Sequence, residues 1–215
     1  RYLALMGPRS RDIVSVNGKK PGLKKSDIVW DSACPIEDVN SALGKVLHSP
    51  HGWLWYDIAK HHKGTNHTRK ILIPMPLWLR QWLKFFCEFS YHPVRVFPSV
   101  QKHSKSLVQS KKSFAWDSII EAAGVDPRIV ESEGKAQSIA IRKFAANWWR
   151  LNVQSNYDAE LAKDVSHYVL HHAEVTVSDK HYLSVQASVL PIMLAMLERW
   201  PKPAADAPPV SMLPE

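Results

Sequence analysis

The chain has 215 residues, 45% of them hydrophobic and 22% charged, which is typical of a globular protein with one sizeable core. Lys and Arg number 28 against 20 Asp and Glu, so the formal net charge is +8. This excess favours a polyanionic partner without identifying one. No apolar run reaches the roughly 18 residues of a membrane span and no signal peptide is recognisable, so the composition argues against a membrane protein. Cys34 and Cys87 are far apart with no ligand-like spacing, which predicts two reduced thiols.

The first 50 residues alternate between short helical patterns and basic turns. The opening "RYLALMG" resembles the end of a helix, broken at Gly7-Pro8 and followed by a second short helix. Because the chain starts inside this apolar turn without a start signal, we expect a fragment whose N-terminal part is absent. "NGKKPGLKKSDIVWD" predicts a basic turn and then a strand, and residues 34–50 predict irregular structure.

The middle of the chain predicts a hairpin followed by a helix. "GWLWYDIA" and "KILIPM" predict two antiparallel strands, joined by the basic connection "KHHKGTNHTR". "PLWLRQWLKFFCEF" has apolar residues at helical spacing. "HPVRVFPSVQKHSKSLVQSKKS" then predicts a loop rich in Lys and Ser.

The second half of the chain predicts four helices. They are "FAWDSIIEAAGVD", "AQSIAIRKFAANWWRLN", "DAELAKDVSHYVLHH" with Asp158 as its N-cap, and "VSDKHYLSVQASVLPIMLAMLERW". We therefore predict an α+β fold, mainly helical with one small antiparallel sheet. One domain would span residues 1–200, and the Pro/Ala-rich residues 201–215 would form a mobile tail.

Three basic residues stand out as candidates for binding a phosphate. Arg9 follows a Gly-Pro turn and Arg142 lies near the middle of a predicted helix. The planar guanidinium of each can bind two oxygens of one phosphate. Lys63 precedes Gly64 in the predicted hairpin turn. Taken singly, each of the three is better explained as a solvated charge or half of an ion pair.

The histidines allow more than one interpretation. His61 and His62 are neighbours, so on a strand their side chains would point to opposite faces, and no acidic or Cys ligand completes a set with them. His167 and His171 have the i, i+4 spacing of a metal pair, but a third ligand is not evident. We predict no metal site. These histidines would then lie in the core or on the surface without binding a metal.

Taken in chain order, the motifs resemble the catalytic domain of a tyrosine recombinase of the phage-integrase superfamily. "GPRSRDI" resembles the family's Gly-x-Arg-x-x-Glu/Asp motif, with Arg9 and Asp12 in place. The hairpin "HHKGTNHTRKILIPMP" resembles the strand pair whose turn carries the catalytic lysine. "VLHHAEVTVSDKHYL" resembles Leu-Gly-His…Thr…Tyr and supplies His172, Ser178 in the Thr position, and Tyr182.

The resemblance extends over about residues 3–200 and implies DNA cleavage through a 3′-phosphotyrosyl link, with no cofactor, ATP or metal. In the implied site, Tyr182 is the nucleophile, Arg9 and Arg142 stabilise charge on the phosphate, and His172 donates a hydrogen bond to it. Lys63 protonates the leaving 5′-oxygen, and Asp12 orients Arg9.

The implied partner is a double-stranded DNA attachment site, bound by four protomers in a synapse, in the cytoplasm of a bacterium or of the host of a phage or mobile element. The missing N-terminal part would be a helical domain that closes around the DNA. The residues expected to contact DNA phosphates are Lys19, Lys20, Lys24, Lys25, Arg69, Lys102, Lys105, Lys111, Lys112 and Lys143.

Two positions depart from the family pattern. Ile139 stands where the family has the His of His-x-x-Arg, and His171 replaces the Gly before the motif histidine. Lys143, Gln137 or His171 would have to replace the lost donor, or activity is reduced. A catalytically reduced or silent DNA-binding relative and a type IB topoisomerase-like enzyme are therefore the alternatives to an active recombinase.

Overall fold

The computed structural model describes residues 22–57, 70–97, 137–170 and 179–200, with residues 137–142 and 179–183 described by their backbone only. Across these ranges the chain forms five α-helices and a three-stranded antiparallel sheet, which confirms the predicted α+β class. The two short helices predicted before residue 20, the helix predicted at 114–126 and the predicted tail at 201–215 lie outside the described residues.

The sheet contains the predicted hairpin and the strand predicted after the basic turn, which is only two residues long. Its strands are β1 (Ile28–Val29), β2 (Trp53–Asp57) and β3 (Lys70–Pro74), in the order β1-β2-β3. All pairs are antiparallel, and Trp55 lies opposite Leu72 in the β2–β3 register. Every residue of β3 after Lys70 is buried, which fits the unbroken apolar run "ILIP" and indicates a strand covered on both faces.

The prediction of irregular structure for residues 34–50 is wrong in part, because the helix α1 (Glu37–Leu43) lies there. Two acidic residues in its first turn complement the helix dipole, and Gly44 ends it in the left-handed conformation with φ 62°. The Asn40 side chain donates to the Cys34 carbonyl and accepts from the Leu47 N–H, so both flanking segments are held to the helix. Seven residues are too few for the apolar period to be recognisable in the sequence.

The four longer helices were predicted from the sequence, but the last of them ends at Ala195 and not, as predicted, at Trp200. They are α2 (Leu77–Phe89), α3 (Gln137–Gln154), α4 (Ala159–Val169) and α5 (Asp179–Ala195), and a 3-10 turn at Leu197–Arg199 follows α5. The predicted N-cap of α4 is confirmed, since the Asp158 carboxylate accepts the Leu161 N–H at 2.7 Å.

One hydrophobic cluster joins the described elements, and its members range along the chain from Leu23 to Trp200. Helix α3 packs on α4, α4 on α5, and α5 on both β3 and α1. The Trp149 and Trp200 rings meet edge to face, with their centroids 4.9 Å apart. Cys34 and Cys87 are both free thiols, as predicted, and burial raises the pKa of each.

Candidate active site

Two of the five predicted catalytic residues lie on helices whose backbone is described. Arg142 is in the first half of α3, and Tyr182 is in the first turn of α5. Both helices were predicted from the sequence. Arg9, Lys63 and His172 lie outside the described residues, as do the supporting residues Asp12 and Ser178. Ile139 also lies on α3, three residues before Arg142.

The elements that carry or adjoin these motifs pack against one another. The Arg142 helix α3 contacts α4, whose chain continues toward His172. Helix α4 contacts the Tyr182 helix α5, and α5 contacts β3, the strand that follows the connection containing Lys63. Segments that are far apart in sequence therefore belong to one packed body.

At the centre of this packing lies the hydroxyl group of Tyr168 on α4. It donates a hydrogen bond to the Leu72 carbonyl of β3 at 2.7 Å and accepts the Leu72 N–H at 3.2 Å. Because β2 is the only neighbour of β3 in the described sheet, these two backbone groups belong to the strand's outer edge. The Tyr168 hydroxyl thus satisfies an edge-strand residue that has no ladder partner on that side.

The same hydroxyl also accepts a hydrogen bond from the Gln186 side chain on α5, at a distance of 3.3 Å. Tyr168 and Gln186 are buried, with relative exposures of 5% and 2%, and Leu72 is fully buried. One polar group deep in the core therefore connects β3, α4 and α5. We call this set of three residues the Tyr168 network.

Sequence reasoning missed the Tyr168 network, although one signal pointed to it. Gln186 is an uncharged polar residue in the mainly apolar run "YLSVQASVLPIMLAML". A buried amide needs a hydrogen-bond partner, so a polar residue in such a run predicts a partner somewhere in the core. The sequence does not name that partner, because Tyr168 is 18 residues away and Leu72 is 96 residues from Tyr168.

A second group of polar residues lies where β2 and β3 approach the connection between them. The Lys24 ammonium is 3.7 Å from the Asp57 carboxylate, and both side chains are about one-third exposed. Asp27 accepts the Lys24 backbone N–H at 2.9 Å and is buried. Lys70 lies over the Trp55 ring, 4.6 Å from its centroid. Two carboxylates and two ammonium groups thus stand beside the predicted catalytic hairpin.

These surroundings shift the pKa of Asp27. Burial raises its pKa above the ordinary 3.8, whereas the Lys24 N–H bond and the ammonium groups of Lys24 and Lys70 lower it. The charge of Asp57 raises it further. The net direction is upward, so loss of water outweighs the positive charges nearby.

Three of the residues predicted to contact DNA are among those that the structure describes. Lys24 is paired with Asp57, as described above, and Lys25 donates to the Ser90 carbonyl at 3.3 Å. Each ammonium has three N–H donors, so a phosphate contact would share the group with its existing partner. Lys143 is exposed on α3, next to Arg142. The other predicted DNA contacts lie outside the described residues, namely Lys19, Lys20, Arg69, Lys102, Lys105, Lys111 and Lys112.

Within the described ranges, no group of three or more His, Cys, Asp or Glu is arranged to hold a metal ion. No helix in the same part of the chain combines the length and apolar character needed to cross a bilayer. Comparisons of the chain with protein-family models, with curated proteins and with solved structures found no match.

Proposed function

We propose that the protein is a tyrosine recombinase, which cleaves and rejoins double-stranded DNA through a covalent link to Tyr182. The observation that carries the proposal is the occurrence of the family-like motifs in one order, from Arg9 through Lys63 and Arg142 to His172 and Tyr182. The proposed fold is that of the recombinase catalytic domain. The proposed assembly on DNA is a tetramer.

The packing of the described elements supports this proposal. A recombinase site needs residues from distant parts of the chain to meet at one phosphate. Here α3 and α5, which include Arg142 and Tyr182, both pack on α4, and α5 also packs on β3. The backbone arrangement is therefore compatible with one shared site for the four proposed catalytic residues that follow residue 57.

In the proposed reaction the Tyr182 oxygen attacks the scissile phosphorus, and the bond from phosphorus to the 5′-oxygen breaks. The phenol loses its proton to a base or to water, and Lys63 supplies a proton to the leaving 5′-oxygen. The reverse attack by a 5′-hydroxyl restores the DNA, so the energy of the phosphodiester is conserved. A phenol with an ordinary pKa near 10 is a weak nucleophile at neutral pH, so the site must stabilise developing negative charge.

Arg9 and Arg142 would supply most of that stabilisation. Each guanidinium is permanently charged and can donate two hydrogen bonds to non-bridging oxygens as phosphorus becomes five-coordinate. Preorganised donors of this kind contribute about 3–4 kcal/mol each to the transition state. Ile139 cannot donate, so in this chain His172 would donate to the phosphate, and Lys143, Gln137 or His171 would have to replace the donor lost at position 139.

The test is formation of a covalent protein–DNA adduct. The protein is incubated with nicked suicide duplexes whose central segment is randomised, and adducts are separated on a denaturing gel. Wild type is expected to form an adduct, and Tyr182→Phe to form none, because the variant lacks the attacking oxygen. Tyr157→Phe is the matched control, since Tyr157 is exposed at the end of the α3–α4 connection and should be dispensable.

Other outcomes distinguish the alternatives. DNA binding by wild type without any adduct would favour the alternative suggested by Ile139, a catalytically silent DNA-binding protein. Adduct formation on every duplex without sequence enrichment, together with relaxation of supercoiled plasmid, would favour a type IB topoisomerase-like enzyme. An undiminished adduct in Tyr182→Phe would exclude Tyr182 as the nucleophile.

A further inference from the structure

We propose that Tyr168 is a positioning residue, which sets the placement of the Tyr182 helix α5 against strand β3 through its hydrogen bonds to Gln186 and Leu72. This inference rests on the proposed function for its catalytic consequence. The hydrogen-bond geometry on which it is based is independent of that function.

The Tyr168 hydroxyl joins helix α4 to strand β3. A phenol hydroxyl has one proton to donate and an oxygen that accepts, and Tyr168 uses both capacities on buried partners. Its ring is anchored in α4, while its oxygen reaches the edge of β3. Moving α4 away from β3 would break both bonds to Leu72, so the hydroxyl holds α4 at this distance from β3.

The Tyr168 hydroxyl is also hydrogen-bonded to helix α5. The Gln186 amide donates to the same oxygen from a position 2% exposed, one helical turn after Tyr182. The apolar contacts of α5 allow small sliding or rotation, because packing attraction is not directional. A buried hydrogen bond is directional, and leaving it unmade is costly, so it selects one register.

The members of the Tyr168 network are close in sequence to the proposed catalytic residues. Tyr168 lies four residues before His172 on a chain that leaves α4 at Leu170. Leu72 is in the strand that follows the connection with Lys63. A change of about 1 Å in the placement of a reacting group can reduce a rate by about 100-fold, so a group that locks these elements together has a direct effect on the rate.

The experiment compares two variants of the network with one matched core variant. Tyr168→Phe removes the hydroxyl and disconnects both β3 and α5, while Gln186→Leu disconnects α5 alone. Val165→Ala is the control, because Val165 is fully buried on the same helix but has no polar role. All three should lower the melting temperature, so rates are compared at a temperature well below the lowest of the three transitions.

The decisive readout is the single-turnover rate of adduct formation at saturating DNA, measured with a duplex enriched from the randomised pool. We expect Tyr168→Phe and Gln186→Leu to reduce this rate by roughly 10- to 100-fold while DNA affinity stays within about twofold. Val165→Ala is expected to retain the wild-type rate. Equal rates in wild type and Tyr168→Phe, or an equal loss in Val165→Ala, would overturn the positioning role.

Hydrogen exchange keeps the two proposals separate. The Leu72 amide donates to Tyr168, so its exchange should accelerate at least about tenfold in Tyr168→Phe and change little in Gln186→Leu. This measurement needs no DNA. If wild type forms no adduct, the proposed function and the catalytic role of Tyr168 fail together, and the exchange result still shows whether the hydroxyl ties α4 to β3. If Leu72 exchanges equally in all proteins, the tether itself is refuted.

Discussion

At the scale of single residues, Asp27 shows how a backbone contact can place a carboxylate in an unfavourable environment. Its side chain accepts the Lys24 N–H in the 3-10 turn before the first strand, where Asp27 is 4% exposed. Loss of water then raises its pKa, although two ammonium groups are near enough to oppose the shift. The hydrogen bond and the local turn thus determine the position, and the carboxylate is less stable ionised there than in water.

A pH dependence follows from this shift. Because the pKa of Asp27 is higher in the folded chain than its ordinary 3.8, the folded state holds the proton more tightly. The stability that Asp27 contributes is therefore fully present below that ordinary value and is lost as pH rises through the folded pKa. Relative to wild type, Asp27→Asn should gain free energy of unfolding as pH rises from about 3.5 to about 7.

Urea unfolding at several pH values measures this difference. Asp31→Asn is the matched control, because Asp31 is exposed and also accepts a backbone N–H, from Ala33 at 3.0 Å. It should alter the pH profile less than Asp27→Asn does. A gain that appears on acidification, or a profile unchanged by Asp27→Asn, would contradict the assigned direction.

At the scale of elements, Gly52 allows the turn before β2 to lie against the sheet. Its φ is 83°, and an added Cβ would collide with the Val29 carbonyl oxygen and lie 3.1 Å from the Met75 Cε. The Gly52 carbonyl accepts the Met75 N–H at 3.0 Å and the Ser49 hydroxyl at 2.7 Å. The positive φ and the close approach together require glycine.

Gly52→Ala and Gly44→Ala separate these two requirements. Gly44 also has a positive φ, 62°, but nothing lies within 4 Å of an added Cβ. Gly44→Ala should therefore cost only the backbone strain, about 1 to 2 kcal/mol. Gly52→Ala should cost about 1 to 3 kcal/mol more, because Val29 is held in the sheet and cannot move away. Urea unfolding measures both costs, and equal values would show that the collision is relieved without loss.

The elements that could be predicted from the sequence are those with a long apolar pattern. The hairpin and the four longer helices have apolar patterns of the right period over five residues or more. Their bounds agree with the structure to within a few residues, except that α5 ends at Ala195 and was predicted to reach Trp200. Helix α1 was missed because it has one fully buried side chain, Val39, and no side-chain N-cap. Its conformation is stabilised instead by Asn40 and by packing on α5.

At the scale of the whole molecule, the described elements share one hydrophobic cluster. A single core without an internal boundary predicts one cooperative unfolding transition. Far-UV circular dichroism reports on the helices, and fluorescence reports on the nine tryptophans, of which Trp53 and Trp149 are fully buried. The two signals should change at the same urea concentration. Separate midpoints would show that the sheet region and the α3–α5 helices unfold independently.

Substitutions at two neighbouring residues further test the single unfolding transition. Trp149→Ala removes a large buried side chain that contacts Trp200, so it should lower the free energy of unfolding by about 3–5 kcal/mol. Arg150→Ala changes the adjacent exposed residue and should alter it by no more than about 0.5 kcal/mol. In Trp149→Ala both spectroscopic transitions should shift together.

The candidate site was predictable to a smaller extent than the fold. Local patterns placed Arg142 and Tyr182 on helices, as the structure has them, because periodicity and helix signals depend on neighbouring residues. The roles of these residues come from the resemblance of short motifs and remain proposals. The expectation that Lys24 contacts DNA did not include its ion pair with Asp57, which lies 33 positions later in the chain.

The α+β class, the hairpin and the positions of the long helices could be inferred from residue order alone, since each depends on side chains a few positions apart. The Tyr168 network could not. It joins a backbone group of β3 to side chains of α4 and α5 over separations of 96 and 18 residues. A sequence reveals that Gln186 needs a polar partner, but only the folding of the chain brings Tyr168 within 3.3 Å of it. Hydrogen bonds act over a few ångströms in space, and distance along the chain does not limit them.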